Sequence, residues 1–127
     1  MTARVIQFFA PGIPQVYYVG MLAGENDHAA VEATGEGREI NRHNFTLDEI
    51  DAAMKKNVVQ RLLKLIEFRN EYDAFNGEFE VLDVKENELQ LSWKKDEKQC
   101  LLSVDLGTSK SVISYIDEDG EVIQYKI

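Results

Sequence analysis

Asp and Glu number 23 against 14 Lys and Arg in this 127-residue chain, for a net charge of −9. Paired carboxylates are common equipment for acid–base and nucleophilic chemistry. Two pairs lie close in sequence, Asp48/Asp51 and Asp117/Asp119, but one opens a helical pattern and the other flanks a turn. Solvated charge is the expected role of both, and neither is read as a catalytic dyad. His28 and His43 have no cysteine or carboxylate at metal-ligand spacing, so no zinc site is expected. Gly35, Glu36 and Gly37 lack the strand, glycine-rich turn and helix order of a phosphate cradle. Trp93, Tyr115 and Tyr125 offer faces on which a sugar can stack, but at period-two positions packing is the expected use. Cys100, the single cysteine, excludes an intrachain disulfide and reads as a small core residue suited to a reducing cytoplasm. The acidic balance argues against a nucleic-acid partner, which demands clustered Lys and Arg. No run approaches the roughly 20 apolar residues that span a bilayer, and residues 1–10 lack a secretory pattern. No membrane partner is expected, and the cytoplasm is the expected location.

The more telling residues lie near the start. Residues 8–20 read FFAPGIPQVYYVG, and GREINRH follows at residues 37–43. Pro11 and Pro14 fix φ around Gly12 and make a stiff connector. The β-branched and aromatic run at residues 15–19 has no polar alternation, which suits a strand buried on both faces in a parallel sheet. The chain offers that strand no parallel neighbours, so it reads as part of something larger. The string GIPQVYYVGMLAGEND with GREINRHN resembles the last β/α unit of the barrel in sucrose phosphorylases, retaining enzymes of the α-amylase clan, glycoside hydrolase family 13. Gly12, Pro14, Tyr17, Tyr18 and Gly20 match a pattern spread across that clan. Residues 22–27 and GREINRH resemble the sucrose phosphorylase branch. The likeness runs on through Phe68, Arg69, Asn70 and Glu71 and through Asp73, Ala74 and Phe75.

The resemblance implies a parent reaction in which sucrose and phosphate give glucose 1-phosphate and fructose through a covalent glucosyl–enzyme. Such retention needs a nucleophile and an acid/base roughly 5 Å apart. In the family those carboxylates follow earlier barrel strands, so no catalytic residue is expected in this chain and it should be inactive alone. By the same resemblance, loops at the carboxyl ends of barrel strands build the active site, and residues 20–45 follow such a strand. Arg38 is then the substrate-binding residue, its forked guanidinium bonding glucose hydroxyls. Asp27, and Glu25 beside it, line the entrance, while Arg42 is structural. One of Tyr17 and Tyr18 packs inside the barrel and the other supports the loop. No metal or organic cofactor is implied, and sucrose and inorganic phosphate are the partners. Relatives acting on sucrose 6-phosphate or glucosylglycerate stay open as substrate alternatives. So does a stand-alone carbohydrate-binding or protein-interaction module.

The elements follow. Residues 2–9 are helix or strand by periodicity alone; in the family they end the seventh barrel helix. Residues 20–45 are too long for a bare connection, which signals a functional loop or disorder. Thr46 with Glu49 forms a capping box ahead of an amphipathic helix that breaks near Lys56 and Asn57 and ends around Glu71 and Tyr72. Its apolar face is wider than a small sheet requires, so an absent neighbour or a second copy is expected to cover part of it. Alternation predicts five antiparallel strands at residues 78–84, 88–94, 99–106, 111–117 and 122–127. The expected fold class is α+β: residues 1–76 a remnant of a (β/α)8 barrel, with end of helix 7, strand 8, loop and helix 8, and residues 77–127 an all-β C-terminal domain. Orphaned apolar surface should produce a homodimer or disorder over residues 2–45.

Overall fold

The computed structural model describes residues 1–126. They form two compact units, one made of residues 1–14 and 64–126, the other of Gln15–Leu63. The boundary at residues 63 and 64 falls inside a helix.

The first unit is built on a five-stranded antiparallel meander: β1 (Glu78–Leu82), β2 (Glu88–Lys95), β3 (Lys98–Asp105), β4 (Lys110–Ile116) and β5 (Val122–Lys126), paired in chain order. The expected strands are all present; position 127, given to the last of them, lies outside the described residues. Period-two patterning sets the register. Trp93 pairs with Cys100 and Cys100 with Tyr115; Leu91 pairs with Leu102 and Leu102 with Ile113. These residues stand on one face, and all but Tyr115 are buried. Leu106, expected to continue the alternation, is instead 51% exposed, because β3 ends at Asp105 and the chain turns there.

Helix α1 (Thr2–Phe9) packs against β3 and β4 and buries Val5, Phe8 and Phe9. Of the two conformations that periodicity left open, the helix is the one formed, and it stops at Ala10, before Pro11. Trp93 donates its indole N–H to the Phe9 carbonyl at 2.7 Å, so the largest core side chain also satisfies an orphan at the end of α1. The buried ring is therefore core and not a sugar platform. Arg69 lays its guanidinium 4.3 Å from the Phe75 ring centroid and donates to the Gly12 carbonyl at 3.1 Å. Cys100 is fully buried, and burial pushes its thiol up to about 12, which fits the expected inert core role. Asp117 accepts the backbone N–H groups of Asp119 and Glu121 at 3.0 and 2.8 Å, so its carboxylate serves the β4–β5 turn.

The second unit departs from expectation at residues 15–19. They form no strand. The chain runs extended to Tyr17 and then makes one helical turn, α2 (Tyr18–Met21), with Val19 its buried residue. Tyr17 is 50% exposed. The physical reason is the lack of a ladder: a strand forms where a neighbouring strand pairs its N–H and C=O groups. After α2 come α3 (His28–Thr34), a 3₁₀ turn (Gly37–Asn41) and α4 (Leu47–Met54). Helix α5 (Asn57–Glu71) begins beyond the break expected near Lys56 and ends where expected. Val59, Leu62 and Leu65 are buried, while Val58 is 41% exposed. Among the described residues no helix is long and apolar enough to cross a membrane.

Candidate functional site

Everything that follows lies within residues 15–63. Gly24 starts the site because it brings three segments into contact. A Cβ there would stand 2.9 Å from both Phe45 Cζ and Val19 Cγ1, so the Phe45 ring rests on bare backbone. Phe45 also meets the His43 ring edge-on, with centroids 4.8 Å apart. Around them opens a groove of about 600 Å³, lined by residues 24–29, His43, Phe45, Glu49, Ala52, Ala53 and Lys56.

Three side chains converge on its wall. Asp27 caps α3, accepting the Ala30 N–H at 2.9 Å through one carboxylate oxygen. Its other oxygen lies 3.4 Å from His43 Nδ1. On the far side of the imidazole, Nε2 lies 3.1 Å from Glu49 Oε1. Glu49 closes the capping box of α4, and its Oε2 accepts the Thr46 N–H at 2.7 Å. One carboxylate therefore caps a helix and holds a histidine.

The electrostatics agree. Hydrogen bonding to Glu49, then to Asp27, raises the His43 pKa above its ordinary value. The Ala30 N–H and then His43 hold Asp27 below the usual carboxylate range. The Thr46 backbone and hydroxyl, then His43, do the same for Glu49. Among the described residues no group of three His, Cys, Asp or Glu has the arrangement to hold a metal ion.

Arg38 does not line this groove. It sits in the 3₁₀ turn with 64% of its side chain exposed, its Nε 3.4 Å from Glu36 and 3.6 Å from Glu39. Arg42 pairs with Glu39 at 3.6 Å. Asp27 and the Arg38 turn are joined through backbone: the Asp27 N–H donates to the Ile40 carbonyl at 2.7 Å, and α3 packs on the turn. Glu25 lines the groove beside Asp27. The sequence named Asp27 but missed its union with His43 and Glu49. Its one visible signal was a histidine three residues ahead of a strong capping box.

No protein-family model matches the chain. A sucrose 6(F)-phosphate phosphorylase from Thermoanaerobacterium thermosaccharolyticum is 62% identical over all 127 residues, which cover 26% of that protein. A glucosylglycerol phosphorylase from Marinobacter adhaerens is 49% identical over 122 residues, 95% of this chain and 25% of the relative. A sucrose phosphorylase from Agrobacterium vitis is 49% identical over 114 residues, 90% of this chain and 23% of the relative. The crystal structure of sucrose 6F-phosphate phosphorylase from Thermoanaerobacter thermosaccharolyticum superposes on 99% of the chain with a TM-score of 0.96 at 63% identity, covering 26% of that structure. The chain spans about a quarter of the length of the curated relatives it matches. Whole-chain identity and whole-chain superposition agree, and they place this chain in the sucrose and sucrose 6F-phosphate phosphorylase family, as its C-terminal part.

Proposed function

We propose that the chain is the C-terminal portion of a retaining α-glucosyl phosphorylase of the α-amylase clan, glycoside hydrolase family 13. The reaction converts sucrose and phosphate to glucose 1-phosphate and fructose by double displacement through a glucosyl–enzyme. The observation that carries this reading is the 62% identity across all 127 residues to a protein named as a phosphorylase of sucrose 6(F)-phosphate, a donor of the same class. In this reading residues 1–76 complete a (β/α)8 barrel and residues 77–127 form its C-terminal β domain. The extended run before α2 is then a barrel strand that awaits its neighbours. The nucleophile and acid/base belong to the other three quarters of the parent, and the isolated chain is inactive. This chain contributes Arg38, which bonds the hydroxyls of the transferred glucosyl group, and Asp27 near the entrance.

A second reading differs only in the donor. The 62% identical relative is named for sucrose 6(F)-phosphate, which favours a phosphorylated sucrose over sucrose itself. Both readings meet one experiment on the parent protein: glucose 1-phosphate formed from each donor and phosphate, with wild type and Arg38→Ala. We expect turnover of one donor and a loss of kcat/KM of about 10- to 100-fold in the variant. Turnover of neither donor would sink the proposal, and an unaltered Arg38→Ala protein would remove Arg38 from the pocket.

A further inference from the structure

The two ion pairs of Arg38 do not fix it. At 3.4 and 3.6 Å, between side chains open to water, they hold little free energy. The 3₁₀ turn that carries it has no side-chain cap and no buried residue. A binding group needs its backbone held more firmly than that, so the restraint must come from segments packed against the turn.

Two links run from the carboxyl end of the turn to His43. Through the first, the Asp27 N–H holds the Ile40 carbonyl, and the Asp27 carboxylate faces His43 Nδ1. Through the second, the chain leaves the turn by way of Arg42 directly into His43, whose Nε2 meets Glu49. Glu49 is a stiff anchor because its other oxygen is already taken by the Thr46 N–H and hydroxyl. Tyr18 donates its hydroxyl to the His43 carbonyl at 3.1 Å, and Phe45 blocks one edge of the ring.

We propose that His43 is a positioning residue for the Arg38 turn, clamping it between the cap of α3 and the cap of α4. With both ring nitrogens engaged by carboxylates, the imidazole has no nitrogen left for substrate, so its role is geometric. The inference rests on Arg38 binding the glucosyl group. Besides Asp27 and Glu49, the ionisable groups that line the groove with His43 are Glu25, His28 and Lys56, and the Tyr18 hydroxyl bonds the His43 carbonyl.

A double-mutant cycle on the parent protein tests it, with phosphorolysis of whichever sucrose donor it turns over. His43→Ala should lower kcat/KM about 10- to 100-fold, as expected when a binding group is displaced by an ångström or so. In an Arg38→Ala background the same change should cost less than threefold, because it acts through the residue already removed. The alkaline limb of the wild-type kcat/KM profile should flatten in His43→Ala. If His43→Ala lowers the melting temperature too far to assay, His43→Gln, whose amide reaches one carboxylate at a time, should give an intermediate loss with the same non-additivity. A silent His43 variant, or a loss undiminished in the Arg38→Ala background, would overturn the inference while leaving Arg38 in place. A silent Arg38→Ala would remove Arg38 from the pocket, and the clamp with it, while turnover of neither donor would remove the phosphorylase reading itself.

Discussion

An imidazole with a carboxylate at each nitrogen is satisfied only when both nitrogens carry protons, and this sets a sign for the pH dependence of stability. His43 has its pKa raised in the fold, so its contribution is fully present below its ordinary value of 6.5 and fades as pH rises through the higher folded value. Asp27 and Glu49 have theirs lowered, so their contributions are present above 3.8 and 4.5 and fade as pH falls through the lower folded values. The cluster therefore stabilises from the acidic carboxylate range to somewhat above the usual histidine range. The melting-temperature difference between wild type and His43→Gln should be largest near pH 6 and shrink toward pH 9 and toward pH 3. A difference that is flat across this span would show that the bridged imidazolium does not form. Little of this was legible beforehand. Asp27 and His43 stand 16 positions apart and His43 and Glu49 six apart, separations at which neither a single helix nor a single strand brings side chains together. The path of residues 20–45 makes the cluster, and a path of short turns leaves no periodic trace.

At the level of elements, legibility followed local chemistry. Thr46 and Glu49 form their capping box because both bonds lie within one helical turn, and the break before α5 falls where Lys56 and Asn57 placed it. The meander was legible because alternation and turn residues point to the same register. Residues 15–19 failed for the converse reason: a buried parallel strand is defined by neighbours, and apolar composition alone cannot supply them. The turn that Asn76 and Gly77 mark in the sequence is also tightly constrained in space. Gly77 links the 3₁₀ turn Asp73–Asn76 to β1, and a Cβ there would stand 2.0 Å from the Lys94 carbonyl oxygen, a backbone atom that cannot move without breaking the β1–β2 pairing. Gly77→Ala should destabilise by about 3 kcal/mol, the upper part of the range for overpacked sites. Urea unfolding of the two proteins checks it, and a change below about 0.5 kcal/mol would mean that the edge strand yields instead.

For the whole molecule, the surface shows what the chain leaves uncovered. Ile13 is 92% exposed, Leu47 81% and Tyr17 50%. Single exposed apolar residues are ordinary, but in the proposed reading these belong to the barrel part, where further strands and helices would cover them. Alone, the chain must leave them wet or cover them with another copy. A net charge of −9 opposes the second choice through like-charge repulsion, and salt screens that repulsion. Association of the isolated chain should therefore grow with protein concentration and with ionic strength, the reverse of an interface held by ion pairs. Light scattering on a size-exclusion column, run at low and high salt, should show the 14.5 kDa species giving way to a dimer as salt rises. Leu47→Lys and Ile13→Lys should each weaken that dimer. A clean monomer at every concentration and salt would mean that the open residues are tolerated singly, and the case for a missing apolar neighbour would then rest on sequence likeness alone.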